Sequence, residues 1–148
     1  MPQLRTALVT GAGSGIGREV SLLLAAQGCT IILVGRTISK LRETARLITA
    51  LNAPAPSVYA VDLADIPETE KFVSRILADP NHIDLLVNNA AVAPYRLFQQ
   101  GTVQHFNHAL SANLISPFVL IRALWSSLLQ NKGCVINVSS MATVSPFP

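Results

Sequence analysis

Gly11, Gly13, Gly15 and Gly17 fall at every second position, directly after the apolar run Ala7-Leu8-Val9 and Thr10. A helical pattern starts at once, with Ile16, Val20, Leu23, Leu24 and Gln27 on one face. Buried strand, glycine turn and amphipathic helix together begin a dinucleotide-binding βαβ unit. The reason is local. A helix N-terminus carries unpaired N–H groups and a positive dipole end, so it attracts a pyrophosphate. The backbone reaches a phosphate only where no Cβ intervenes, which calls for glycine. Gly11 suits the tight turn, Gly15 the close approach, and Gly17 the packing of helix on strand. The alternative is a glycine-rich turn that binds nothing.

Other polar groups recur where later strands should end: Arg36, Asp62, Asn88 with Asn89, and Ser139 with Ser140. In doubly wound sheets ligands bind beyond the carboxyl ends of the strands, so five such ends converge on one place. An acid about 20 residues past the glycines would bond the ribose hydroxyls of NAD. Here that position reads Gly35-Arg36. Arginine pairs bidentately with a 2′-phosphate and stacks on adenine, so the expected cofactor is NADP(H), with NAD(H) possible and Thr37 a second phosphate contact. Ser14 is not basic and adds no second charge there.

The elements that position these groups alternate regularly. Strands are expected at 6–9, 30–34, 57–61, 85–87 and 134–138. Helices are expected at 14–27, 39–51, from Asp65 to a break at Pro80-Asn81, and 103–129. Gly28 stops the first helix, Asp65 caps the third with Pro67 in its first turn, and Lys132-Gly133 ends the last. Expected inner faces are Ile38, Leu41, Ala45 and Ile48; Val73, Ile76 and Leu77; and Leu114, Phe118, Ile121, Trp125 and Leu128. A loop through Pro94 and Gly101 precedes the long helix, and the last residues, from Val144 on, read as loop. Five strand–helix alternations predict an α/β fold with a parallel sheet and helices on both faces.

Composition narrows the classes. A chain of 148 residues, half of them apolar, suits one domain with a real core. The net charge of +3 comes from scattered Lys and Arg without a basic run, so nucleic acid is not an expected partner. Cys29 and Cys134 both border strands and read as small buried residues of a reducing compartment. His105 and His108 lack a companion Cys or carboxylate cluster, so no metal site is expected. The chain begins without a basic and then apolar leader, and the stretch 114–129 holds Pro117, Arg122 and serines, so a cytoplasmic protein with no membrane contact is expected.

The spacing Thr10-Gly11-x-x-x-Gly15-x-Gly17 resembles the TGxxxGxG cofactor motif of the short-chain dehydrogenase/reductase (SDR) family, and the resemblance runs along the whole chain, 1–148. It implies a Rossmann-type doubly wound parallel sheet of order 3-2-1-4-5 between two helix layers. Cofactor contacts are implied for Thr10, Gly11, Gly13, Ser14, Gly15, Ile16 and Gly17. Asp62-Leu63 resembles the pair beside the adenine ring; as a strand-end turn carboxylate Asp62 would have a purely structural use. Asn88-Asn89-Ala90-Ala91 resembles the NNAG motif that walls the cofactor site, with Ala91 in place of its glycine. Asn113 matches the helix asparagine of the proton relay, whose backbone is kinked. Asn137-Val138-Ser139-Ser140 resembles NxSS, which makes Ser140 the catalytic serine, 27 residues after Asn113. Ala142 stands where the family often has glycine.

The family's catalytic YxxxK segment is not in the sequence. The only tyrosines are Tyr59, in a strand, and Tyr95, in a loop where it could touch substrate. The resemblance therefore implies the cofactor-binding half of an enzyme that passes hydride between NADPH and a carbonyl or secondary alcohol, inactive by itself and a homo-oligomer when complete. A non-catalytic nucleotide-binding or interaction module is the alternative. Covalent chemistry at Ser140 is a weaker third, since G-x-S-x-G is absent and no histidine or acid is visibly paired with it.

Overall fold

The computed structural model describes residues 6–78, 82–93 and 98–140. Five strands alternate with helices: β1 (Thr6–Thr10), α1 (Gly15–Ala26), β2 (Thr30–Gly35), α2 (Ile38–Ala50), β3 (Ser57–Ala60), α3 (Ile66–Leu77), β4 (Leu85–Asn88), α4 (Val103–Leu110), α5 (Ser116–Gln130) and β5 (Cys134–Asn137). A short 3-10 turn, Phe98–Gln100, precedes α4, and a π-helical stretch, Ser111–Ile115, joins α4 to α5. All strand pairs are parallel, in the order β3-β2-β1-β4-β5. This is the expected Rossmann-like sheet. The Pro80-Asn81 break, the Pro94 loop and the residues after Ser140 lie outside the described residues.

The central strands are apolar on both sides because helices cover both faces. On one face Leu8, Ile32, Val34 and Leu86 meet Phe72, Val73 and Ile76 of α3 and Leu120, Leu124 and Leu128 of α5. On the other, Ala7, Val9, Ile31, Leu33 and Val87 meet Ala25 of α1 and Leu41 and Ile48 of α2. Asp65 caps α3 as expected, its Oδ1 accepting from Glu68 N at 2.9 Å.

The inward helix faces differ from the sequence reading. Helix α1 buries Gly17, Ser21 and Ala25, while Ile16 and Leu23 are 61% and 65% exposed. Close seating against the glycine turn selects small residues, whereas hydrophobic periodicity selects the large ones. Helix α2 buries Leu41, Thr44 and Ile48, with Ala45 half-buried against the same core and Ile38 exposed. Helix α3 adds Thr69 and Phe72 and leaves Leu77 outside. Helix α5 buries Ser116, Leu120, Leu124 and Leu128, an i, i+4 row. Of the expected stripe Leu128 is in the core and Ile121 packs half-buried against it; Leu114, Phe118 and Trp125 are exposed. A helix apolar nearly all round does not reveal by period which apolar face turns inward. The run Val103–Gln130 has the length and composition of a membrane span, but its Leu120 and Leu124 pack on the sheet, as in a core helix. Cys29 is buried as expected, whereas Cys134 is exposed, because β5 is the sheet edge among the described residues.

Candidate functional site

The carboxyl ends of β1, β2, β3 and β4 open onto one cleft of about 340 Å³. Gly11, Gly13 and Ser14 line it from the first turn, Arg36 and Thr37 from the second, Asp62 and Leu63 from the third, and Asn89, Ala90 and Ala91 from the fourth. Ten of the residues singled out in the sequence thus share one wall-to-wall space. Four of the other expected cofactor contacts do not line it. Thr10 and Gly17 are buried beneath the turn, and Gly15 and Ile16 are exposed at the start of α1.

Thr10 is used by the chain itself. Its Oγ1 donates to Val87 O at 3.2 Å and accepts from Asn89 N and Ala90 N at 2.9 and 3.0 Å. The Asn89 amide donates back to Thr10 O at 3.0 Å. These bonds lash the end of β4 to the end of β1 and fix the two turns that face the cleft. Gly17 is required by close approach, since a Cβ there would collide with Gly11 O and Asn89 Nδ2. Gly15 is different: its φ is +52°, and a Cβ would meet no heavy atom within 4 Å.

The helix N-termini divide into two kinds. Asp65 and Thr102, which do not line the cleft, cap α3 and α4, each accepting from the N–H three residues on. At the cleft, Ser14 before α1 and Thr37 before α2 make no side-chain cap bond, and neither helix has an acid in its first turn. Both leave first-turn N–H groups without a side-chain acceptor of their own helix, beside a cleft. The ion pair of Arg46 with Glu43, at 2.9 Å, is exposed on α2 and involves neither cleft cation. Those cations are Arg36 and Lys40. Lys40 was not singled out in the sequence; its place in the first turn of α2, four residues after Arg36, was the available signal.

Asp62 has a structural use at the edge of the cleft. It lines the cleft, and its Oδ1 accepts from Ala64 N at 3.0 Å, closing the strand-end turn. Asn113 lies in the π-helical stretch, and its amide grips Val92 at both main-chain groups. Val92 and Ala112 line the cleft, so Asn113 stands at its margin. Asn88 and Asn137 are paired in register and bonded at 2.9 Å, which brings the chain leading to Ser140 beside the Asn89 turn. Ser140 itself is exposed and does not line the cleft. Tyr59 packs edge-on against Phe72 at 5.2 Å, and Tyr95 lies outside the described residues.

The chain is similar to known proteins in sequence and in fold. An uncharacterized oxidoreductase of Thermotoga maritima is 30% identical over 99% of this chain and 57% of its own. Carbonyl reductase (NADPH) 2 of Sus scrofa is 35% identical over 96% of this chain and 55% of its own. The chain therefore spans little more than half the length of these relatives. A metagenomic short-chain oxidoreductase in complex with NADP superposes with a TM-score of 0.89, at 31% identity, over 97% of this chain and 64% of its own. Residues 5–148 match the short chain dehydrogenase family. With the sheet order and the glycine turn in agreement, this chain belongs to the short chain dehydrogenase family.

Proposed function

We propose that these residues form the NADP(H)-binding half of an oxidoreductase acting on a carbonyl or secondary alcohol. The observation that carries this reading is the pair of uncapped helix N-termini, α1 and α2, facing one cleft with Arg36 and Lys40 beside them. A dinucleotide with two phosphate positions suits that arrangement. Gly11 through Gly17, with Ser14 and Ile16, hold the pyrophosphate against α1. Arg36, Thr37 and Lys40 hold a 2′-phosphate at α2, and NAD(H) binds less well for want of it. Asp62 and Leu63 flank the adenine, while Asn89, Ala90 and Ala91 wall the nicotinamide side. Thr10 supports these contacts from below.

When bound, the nicotinamide supplies or accepts the hydride. Ser140 donates a hydrogen bond to the substrate oxygen. Asn113 holds the helix and the turn after β4 in the shape that a proton relay needs. The tyrosine and lysine expected by resemblance are not among these 148 residues, so catalysis belongs to a longer protein and these residues alone are inactive. The NADP of the similar structure and the NADPH of the named relative support the cofactor assignment. The exposed apolar residues Leu114, Phe118 and Trp125 support assembly with further copies. A cytoplasmic location belongs to the same reading.

The test is titration of the full chain with NADPH and NADH, followed by fluorescence, and then NADPH oxidation with aldehydes and ketones. Tight NADPH binding is expected of these residues, with turnover only in a protein that also carries the tyrosine and lysine. Failure to bind either dinucleotide sinks the reading. Binding without turnover of any carbonyl, in a protein that carries the tyrosine and lysine as well, favours a nucleotide-binding module.

A further inference from the structure

We infer that Arg18 and Thr44 are positioning residues, which set the peptide planes of the glycine turn for cofactor binding. The inference rests on the cofactor reading above and concerns residues that no motif in the sequence marks.

Arg18 is half-buried on α1, and its guanidinium reaches back rather than into solvent. Nη2 donates to Gly13 O at 2.6 Å, and Nε donates to Thr44 Oγ1 at 3.2 Å. Thr44, fully buried on α2, donates from the same oxygen to Ala12 O at 2.9 Å. One fork and one hydroxyl therefore hold two successive carbonyls of the turn. A trans peptide is planar, and its C=O and N–H point in opposite directions. Holding Ala12 O and Gly13 O turns the N–H groups of Gly13 and Ser14 to the other side. Gly13 and Ser14 line the cleft, and Arg18 and Thr44 do not. The fixed donors thus face the space assigned to phosphate, and their orientation is settled before any ligand arrives.

The same pair couples the two ends of the cleft. Thr44 lies one helical turn after Lys40, and Thr44 Oγ1 is 3.2 Å from Lys40 O. A Cβ at Gly13 would meet Lys40 Cβ at 3.0 Å. The first turn of α2 and the glycine turn are therefore seated on one another, with the Arg18–Thr44 bond between them. Only arginine has a planar fork that donates in two directions at once; lysine reaches one acceptor as a point charge.

The experiment measures NADPH affinity of the full chain by fluorescence, with thermal midpoint and the amide NMR signals of Gly13 and Ser14 recorded without cofactor. Arg18→Met and Thr44→Val are each expected to weaken NADPH about tenfold, the scale of a hydrogen bond involving a charged group. Their double variant should be no weaker than the worse single one, because they act as a unit. Thr44→Ser, which keeps the hydroxyl, should restore affinity, and Arg18→Lys should fall between. Both Gly13 and Ser14 signals should move in Thr44→Val before any cofactor is added. The inference is overturned if affinity is unchanged while the midpoint falls, which is a merely structural role. It is also overturned if Arg18→Met weakens binding and Thr44→Val does not, which is a direct charge effect. Wild-type protein that binds neither NADPH nor NADH removes the cofactor reading, and this inference with it.

Discussion

Asn113 holds Val92 at both main-chain atoms: its Oδ1 accepts from Val92 N at 2.8 Å and its Nδ2 donates to Val92 O at 2.9 Å. The two residues are 21 apart in sequence, one in the π-helical stretch, the other just past β4. A carboxamide is the one side chain that offers donor and acceptor in this spacing, so the pair reads as a clamp. The π-helical widening is what aims it, since a regular turn would rotate Asn113 to another azimuth.

Asn113→Ala should release that clamp. Two neutral hydrogen bonds are worth about 1–2 kcal/mol together, and the loss should appear in denaturant unfolding. Hydrogen exchange at the Val92 amide should speed up locally. In the full protein, turnover should fall more than cofactor affinity, because the clamp lies at the margin of the cleft. Equal exchange at Val92 in the variant and wild type would refute the clamp.

Gly17→Ala and Gly15→Ala should separate folding from binding. A Cβ at position 17 collides with the Gly11 backbone and with Asn89 Nδ2, and Asn89 cannot move without breaking its bond to Thr10 O. Overpacking of that kind costs about 1–3 kcal/mol or more. At position 15 there is open space, and the cost is the positive φ, about 1–2 kcal/mol. Gly15→Ala should therefore fold and lose cofactor affinity, while Gly17→Ala should express poorly. Thermal midpoints and NADPH titration of the two proteins decide the matter.

Arg36→Ala and Lys40→Ala should each weaken NADPH by about tenfold and leave NADH within about twofold, since only NADPH carries the 2′-phosphate. High salt should shrink the Lys40 effect most, because that contact is a solvated point charge. An equal loss for both dinucleotides would place these cations elsewhere than at the 2′-phosphate.

Burial pushes the Cys29 thiol above its ordinary range, with the nearby Asp84 charge adding to it. The folded state thus keeps a proton that the unfolded state gives up as pH rises past about 8.5. Stability should accordingly be unaffected below that pH and decline above it, until the folded-state pKa is passed. Cys29→Ala should remove this part of the alkaline slope. Urea midpoints of the two proteins across pH 7 to 10 (roughly the thiol range) check it; parallel curves would rule it out.

Trp125→Asp and Phe118→Asp place charges on a face of α5 that is 55% and 62% exposed at these positions. The fold should tolerate both, since Leu120, Leu124 and Leu128 on the packed face are untouched. If that face joins copies of the protein, the full chain should shift to monomer in light scattering with its thermal midpoint changed by only a few degrees. An unchanged mass would assign assembly to another surface.

The order and type of elements were legible in the sequence because each depends on short-range patterning. Strand-helix alternation, Asp65 as a cap and the glycine turn all follow from a few neighbouring residues. The cleft was legible too, because parallel topology brings successive strand ends to one edge, and Gly11, Arg36, Asp62 and Asn89 each follow a strand. What only the tertiary structure decided was which way side chains turn. The inward row of α5 is Leu120, Leu124 and Leu128 and not the row through Phe118 and Trp125, since both are apolar and packing alone chooses. Helix α1 seats through Gly17, Ser21 and Ala25 because close approach rewards smallness, which no hydrophobicity pattern records. Thr44 meets Arg18 and the turn only after α1 and α2 have docked. Their mutual bond joins residues 26 apart in the chain and that of Thr44 to Ala12 joins residues 32 apart, separations that local sequence pattern cannot encode.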